Sequence, residues 1–501
     1  MKRVLSMTAL LVLIGTAASA QDLASFEKRT QVRKLDNGLT VILLERHDAP
    51  VFSYATVVNA GSAQEVPGIT GLAHMFEHMA FKGSDRVGSK NWEAERAALA
   101  KVEQTYAAYD RARRAETNRD AARVAQLEQA WKDAIAEADK HMTNDEFSQV
   151  IDRAGGVGMN AFTASDITAY FFSMPSNRFE LWAYMESERF RHPVFRQFYK
   201  ERDVVNEERR MRIESSPFGR LLEQFMSTAF IAHPYGFGTG IGWPSDLATF
   251  SATDAAEFAK KYYVPSNMVV AIVGDVNPAE AWPIIEKYFG RLPKAEAPEP
   301  LRTVEPPQTA ERTVVLRETS QPLYVEGYHR PAVTHPDDNV YDVISMLMSS
   351  GRTSRLYRSL VRDKKIAAAA AGFNGFPGEK YPNLFTFYGV TTPGHTPDEL
   401  AEGIRAEIER LKTEEVPAAE LQSVKTRVKA GVLRQLADNS GLALQLATYH
   451  TLYGDWRELF REIDGIDKVT AADVKRVANA TFVPGNRTVA KLESVAKGAA
   501  K

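Results

Sequence analysis

Cysteine is absent from all 501 residues, so neither a disulfide framework nor a lipid-attachment cysteine belongs to this protein. A surplus of charge is missing as well. The 62 basic and 64 acidic residues leave a net −2, with no basic field for a phosphate backbone and no acidic tail, which argues against nucleic acid as a partner. Long apolar runs are also lacking. The stretch from about Met7 to Ile14 falls short of the roughly 18 residues that cross a bilayer. It follows Lys2-Arg3 and leads into Ala18-Ser19-Ala20 before Gln21, which is the pattern of a signal peptide over residues 1–20. The expectation is export to the periplasm, cleavage near Ala20/Gln21, and a mature chain of net charge −4 (Lys2 and Arg3 removed) without a membrane span.

What is present is a chain with 44% hydrophobic and 25% charged residues, too long for one ordinary core. Val32 to Leu35 and Thr40 to Leu44 alternate around Asp36-Asn37-Gly38, a hairpin signal at the start of the mature chain. Residues 294–312 include a stretch rich in Pro, Ala and Glu that reads as a linker between a first unit, 30–293, and a second, 313–495.

The two units resemble each other. Val264-Pro265-Ser266-Asn267-Met268-Val269-Val270-Ala271 matches Val483-Pro484-Gly485-Asn486-Arg487-Thr488-Val489-Ala490 at a shift of 219 (264 to 483), and Ser251/Asp254 matches Thr470/Asp473 at the same shift. Thr40-Val41-Ile42-Leu43 matches Thr313-Val314-Val315-Leu316 at 273 (40 to 313), so the first unit carries about 273 − 219 = 54 extra residues. This is a duplicated α+β unit with an insertion in the first copy. The insertion, at about 89–145, is dense in Ala, Glu, Arg and Lys. Leu99, Val102, Tyr106 and Tyr109, then Val124, Leu127, Trp131 and Ile135, recur at helical spacing and predict two antiparallel helices broken near Thr117-Asn118. Two roles are open for this hairpin: a solvated decoration, or a lid or partner-docking element.

Helical spacing over Gly71 to Phe81 brings His74, Glu77 and His78 to one face. Two imidazoles four residues apart can share one metal ion, and a catalytic zinc needs three protein ligands with one position left to water. Glu77 would lie beside that open position, suited to take a proton from the attacking water and return it to a leaving amine. Glu201-Arg202-Asp203-Val204-Val205-Asn206-Glu207-Glu208 offers carboxylates seven residues apart on a second helix, one to ligate and one to support. The same donors would also accept cobalt or manganese.

The run Gly71-Leu72-Ala73-His74-Met75-Phe76-Glu77-His78-Met79-Ala80-Phe81-Lys82-Gly83 resembles the metal helix of the insulinase and pitrilysin family of inverted zincins, which includes the mitochondrial processing peptidase. The resemblance implies an α+β fold of two homologous α/β-sandwich domains, each a mixed, mostly antiparallel sheet packed with helices. It further implies one Zn2+ per chain on His74, His78 and Glu208, with Glu77 as base and Glu201 behind the ligands. The interval from His78 to Glu208, 208 − 78 = 130 residues, exceeds the family's usual spacing by close to the inserted length. Gly155 to Thr163 resembles the family's edge strand, making Asn160, Ala161 and Phe162 substrate-binding candidates. His233-Pro234-Tyr235-Gly236 also belongs to the pattern and reads as structural.

In the second unit a shift of 273 sets Leu347, Ser350 and Gly351 against His74, Glu77 and His78, so no donors remain there. The family's substrate-holding Arg and Tyr, seven residues apart, meet Arg362 but Ala369 here. That departure implies a metal-bearing subunit that pairs with a second family subunit supplying the Arg and Tyr, with a homodimer or an active monomer as alternatives. The leading expectation is a secreted zinc endopeptidase acting on peptides or unfolded segments. Its rivals are a catalytically silent scaffold or peptide-binding subunit, and a metal hydrolase acting on something other than peptide.

Overall fold

Strand β1 (Thr30–Lys34) turns through Asp36-Asn37-Gly38, where Gly38 has φ +97°, into β2 (Thr40–Glu45). The structure, a computed structural model, describes residues 23–495, so the expected signal peptide and its cleavage point lie outside the described residues. Strands β3 (Val51–Val58), β4 (Val157–Thr163), β5 (Thr168–Pro175) and β6 (Met268–Gly274) complete a sheet of order β1-β2-β6-β3-β5-β4. Strands β7 (Arg312–Glu318), β8 (Leu323–Arg330), β9 (Ala367–Phe376), β10 (Asn383–Thr391) and β11 (Arg487–Ser494) form a second, of order β7-β11-β8-β10-β9.

Without β1 the two orders are the same. Each sheet is antiparallel except at one pair, β2 with β6 and β7 with β11. The protein is therefore α+β, with two mixed, mostly antiparallel sheets covered by helices. The repeated sequences do the same work in each copy. Ser251 with Asp254, and Thr470 with Asp473, form capping boxes at the starts of Ala252–Tyr262 and Ala471–Thr481. Sheet register revises one alignment by a residue. Thr40 pairs with Val269, whereas the counterpart of Val269 at a shift of 219, Thr488, pairs with Arg312 rather than Thr313. Matching Thr-Val letters missed this, because register follows inter-strand hydrogen bonds rather than residue identity.

The central strands are buried on both faces, which explains why β6 reads Met-Val-Val-Ala-Ile-Val-Gly without alternation. The second face of each sheet is covered from the other half of the chain. Leu442, Leu446 and Ala447 of helix Asn439–Tyr453 pack on Ile42, Ala55 and Ala271 of the first sheet. Reciprocally, Leu221, Phe225 and Met226 of helix Pro217–Ala229 pack on Val325, Ala490 and Leu492 of the second. The linker is fastened too, since Glu305 accepts from the backbone N–H groups of Ile231, Ala232 and His233, each at 2.9 Å.

The insertion forms helices Trp92–Arg113 and Ala121–Ala138, with Asn118 at φ +54° in the break between them. It is packed onto the first unit. Tyr106, Trp131 and Tyr199 make an aromatic cluster with centroids 4.4 to 5.3 Å apart, and Tyr199 Oη donates to Glu103 at 2.7 Å.

Candidate metal centre

Helix Leu72–Met79 buries Leu72, Ala73, Met75, Phe76 and Met79, and this fixes which face His74, Glu77 and His78 present. Its start is held by two buried carboxylates. Glu65 accepts from the N–H groups of Gly71 (2.7 Å) and Ala73 (2.8 Å), and Asp246 accepts from the Thr70 hydroxyl (2.6 Å). Acceptors at a helix N-terminus satisfy its free donors and suit its dipole. Gly71 is required there, because it stands at φ +92° and a Cβ would come within 2.2 Å of the Ile241 carbonyl oxygen.

Helix Phe198–Arg209 carries both Glu201 and Glu208. His74 Nε2 and His78 Nε2 stand 3.6 and 3.7 Å from one atom, Glu208 Oε2. In a tetrahedral zinc site with bonds of about 2.1 Å, ligand atoms lie roughly 3.4 Å apart, so these separations suit a shared ion. The three residues are the one group of this kind among the described residues. The donor chemistry fits as well. Burial, with His78 and Arg212 nearby, pulls His74 down to about 3, which keeps it a neutral imidazole with a free lone pair.

The other site residues surround this cluster. Burial lowers His78, but the Glu201 hydrogen bond and the carboxylates of Glu77, Glu201 and Glu208 outweigh it and raise the ring. Glu201 Oε2 meets His78 Nδ1 at 3.4 Å and Glu201 Oε1 accepts from Lys82 Nζ at 2.5 Å; with these partners Glu201 is held at about 2. Engaging Nδ1 turns Nε2 of His78 toward Glu208. Glu77 is raised by burial, against a 2.7 Å hydrogen bond that its Oε2 accepts from Thr163.

Asn160, Ala161 and Phe162 lie on β4, which ends at Thr163 and forms the outer edge of the first sheet, pairing only with β5. Such an edge can pair with an added strand, and the Ala161 N–H there donates to the Asn160 side chain at 2.9 Å. Arg362 is not brought to the cluster by any contact; it pairs with its exposed neighbour Asp363 at 2.6 Å.

Four residues were overlooked in the sequence. Arg212 follows Glu208 by four positions, a helical spacing legible in the sequence, whereas Lys82 stands past the end of the metal helix and reaches Glu201. Arg212 pairs with Glu208 Oε1 at 2.7 Å and leaves Oε2 to face the imidazoles. Thr163 closes the quoted strand motif. Glu65 had no signal, since only the loop path returns it to the helix.

Two family models match the chain: insulinase (peptidase family M16) over residues 40–115, and the peptidase M16 inactive domain over 249–428. The zinc protease PqqE of Helicobacter pylori is 28% identical, with 96% of each chain covered. A crystal structure of a protease from Helicobacter pylori superposes with TM-score 0.77 at 27% identity, covering 93% of this chain and 99% of that one. The periplasmic protease PqqL from Escherichia coli shares the fold with TM-score 0.68 at 16% identity, over 93% of this chain and 48% of PqqL. The family models and the fold place the chain among peptidases whose named relatives are zinc proteases. The chain belongs to the insulinase family, peptidase family M16.

Proposed function

We propose that this protein is an exported zinc endopeptidase in which His74, His78 and Glu208 hold one ion and Glu77 is the general base. The observation that carries the reading is the convergence of two imidazole nitrogens on one Glu208 oxygen, with a carboxylate on the same helix face. A zinc ion held there supplies Lewis-acid activation of water and of the scissile carbonyl. Glu77 takes the proton from the attacking water and returns it to the leaving amine. Backbone groups of Asn160, Ala161 and Phe162 align the peptide as an added strand, and Thr163 fixes the Glu77 carboxylate.

Pairing with a second family subunit is part of this proposal. Ala369 stands where the family's Tyr would, and PqqL has about twice the length that this fold spans. Export to the periplasm rests on the N-terminal pattern, and PqqL is itself named a periplasmic protease. A silent scaffold is the second reading, favoured by the inactive-domain match, but that match spans residues 249–428 and includes none of His74, Glu77, His78 and Glu208.

Metal analysis and peptide hydrolysis of wild type and Glu77→Gln decide between them. The peptidase reading expects equal zinc in both and turnover only in wild type. Equal turnover by the two, or none from wild type even beside a subunit that supplies the Arg and Tyr, would sink it.

A further inference from the structure

A cavity of about 170 Å³ opens beside Thr163, where β4 ends. Both halves of the chain build it. Thr163 and Thr239 come from the first unit, Leu222 and Met226 from the helix that crosses to the second sheet, and Phe376 and Pro377 from the end of β9 and the turn after it. No charged residue lines it. Its size is below the ~300 Å³ at which pockets for whole small molecules begin, and suits a single side chain.

The walls are fixed in place. Ser165 Oγ donates to the Pro377 carbonyl at 3.0 Å. The buried Asp166 accepts from the N–H groups of Glu379 (2.7 Å) and Lys380 (3.0 Å) and from the Tyr235 hydroxyl (2.6 Å). The turn of the second unit is thus locked to the β4–β5 turn of the first, and the cavity needs no rearrangement to receive a group.

We infer that this cavity is a side-chain subsite, built jointly by the two units, that takes one uncharged, apolar side chain of a peptide lying along β4. The inference rests on the peptidase reading for its substrate class. A strand added at β4 must pass Thr163, which also bonds Glu77, so the residue entering the cavity stands next to the reacting centre. A charged side chain would lose its hydration there without gaining a counter-ion.

The test uses peptides that differ only in carrying Leu, Gly or Asp at each scanned position, measured as kcat/KM on the zinc-loaded chain and as affinity for Glu77→Gln by fluorescence anisotropy. At one position Leu should exceed Asp by about 10–100-fold. Thr239→Leu, at a partly exposed loop position, fills the cavity and should erase the advantage of Leu over Gly. Phe376→Ala enlarges it and should shift the preference to Phe. Melting curves verify each variant, and either one that folds decides the question. An unchanged preference in a folded variant, or a preference for Asp, overturns the subsite. If Glu77→Gln binds the Leu peptide selectively while wild type, alone and beside a subunit that supplies the Arg and Tyr, cleaves nothing, the subsite stands and the peptidase reading falls. Cleavage whose preference ignores both variants has the opposite meaning.

Discussion

The two units of this chain share a strand order and a capping scheme and differ in chemistry. Helix Leu72–Met79 turns His74, Glu77 and His78 outward, whereas Leu347, set against His74 by sequence, is buried in helix Asp338–Ser349 of the second unit, and Ser350 ends that helix. Changing the alignment by the one residue that sheet register requires brings Met346, Ser349 and Ser350 to these positions, again without a donor. The fold therefore does not depend on the site, and the site is a set of side chains placed on one copy of a duplicated frame.

The contrast is sharpest at the base. Glu77→Gln should lower kcat by about 10²–10⁴-fold with zinc content unchanged, while Ser350→Ala in the second unit should leave both alone, as read by peptide hydrolysis and metal analysis. A comparable loss from Ser350→Ala would break the asymmetry.

Stability supplies the next comparison. Arg196 is buried and bonds Glu95 (2.6 Å) together with the carbonyls of Lys82, Ser84 and Val87, tying the inserted hairpin to the segment after the metal helix. Arg196→Ala leaves Glu95 buried and unpaired and should cost about 3–5 kcal/mol in denaturant unfolding. Arg355 in the second unit pairs with the more exposed Glu420 (3.0 and 2.9 Å), and Arg355→Ala should cost less, about 1.5–3 kcal/mol. Equal costs would deny the hairpin its anchoring role.

A smaller effect is expected behind the ligands. Glu201→Gln keeps the shape but weakens the hold on His78 Nδ1 and should reduce zinc affinity by about 10–100-fold, measured by competition with a chelating dye. Arg362→Ala should have the least effect. Its pair with Asp363 is exposed and solvent-screened, so melting temperature and zinc content should not move, and any change should be confined to KM.

Much of this was legible from local pattern. The metal helix, the capping boxes and the inserted hairpin depend on spacings of three, four and seven residues, which helical geometry turns directly into faces. The hairpin's role was not legible. Beside the solvated reading and the lid or partner-docking reading stands a contact that spacing does not show: Arg202, adjacent to Glu201, donates to Tyr106 of the insertion at 2.7 Å, so the insertion braces the helix carrying Glu201 and Glu208. Arg362 was reached only through the family pattern, and its neighbours show an exposed ion pair rather than a contact with the cluster.

The sequence by itself determined the duplication, the donor types and the helix face that presents them, because these follow from short-range periodicity and from which residues remain in each copy. Tertiary structure alone decided the rest. It exchanged helices Pro217–Ala229 and Asn439–Tyr453 between the sheets, returned Glu65 to cap the metal helix, and brought Thr163 to Glu77 and Pro377 to Ser165. Those contacts join residues far apart in the chain, where packing of two buried sheet faces, and not any local preference, selects the partner.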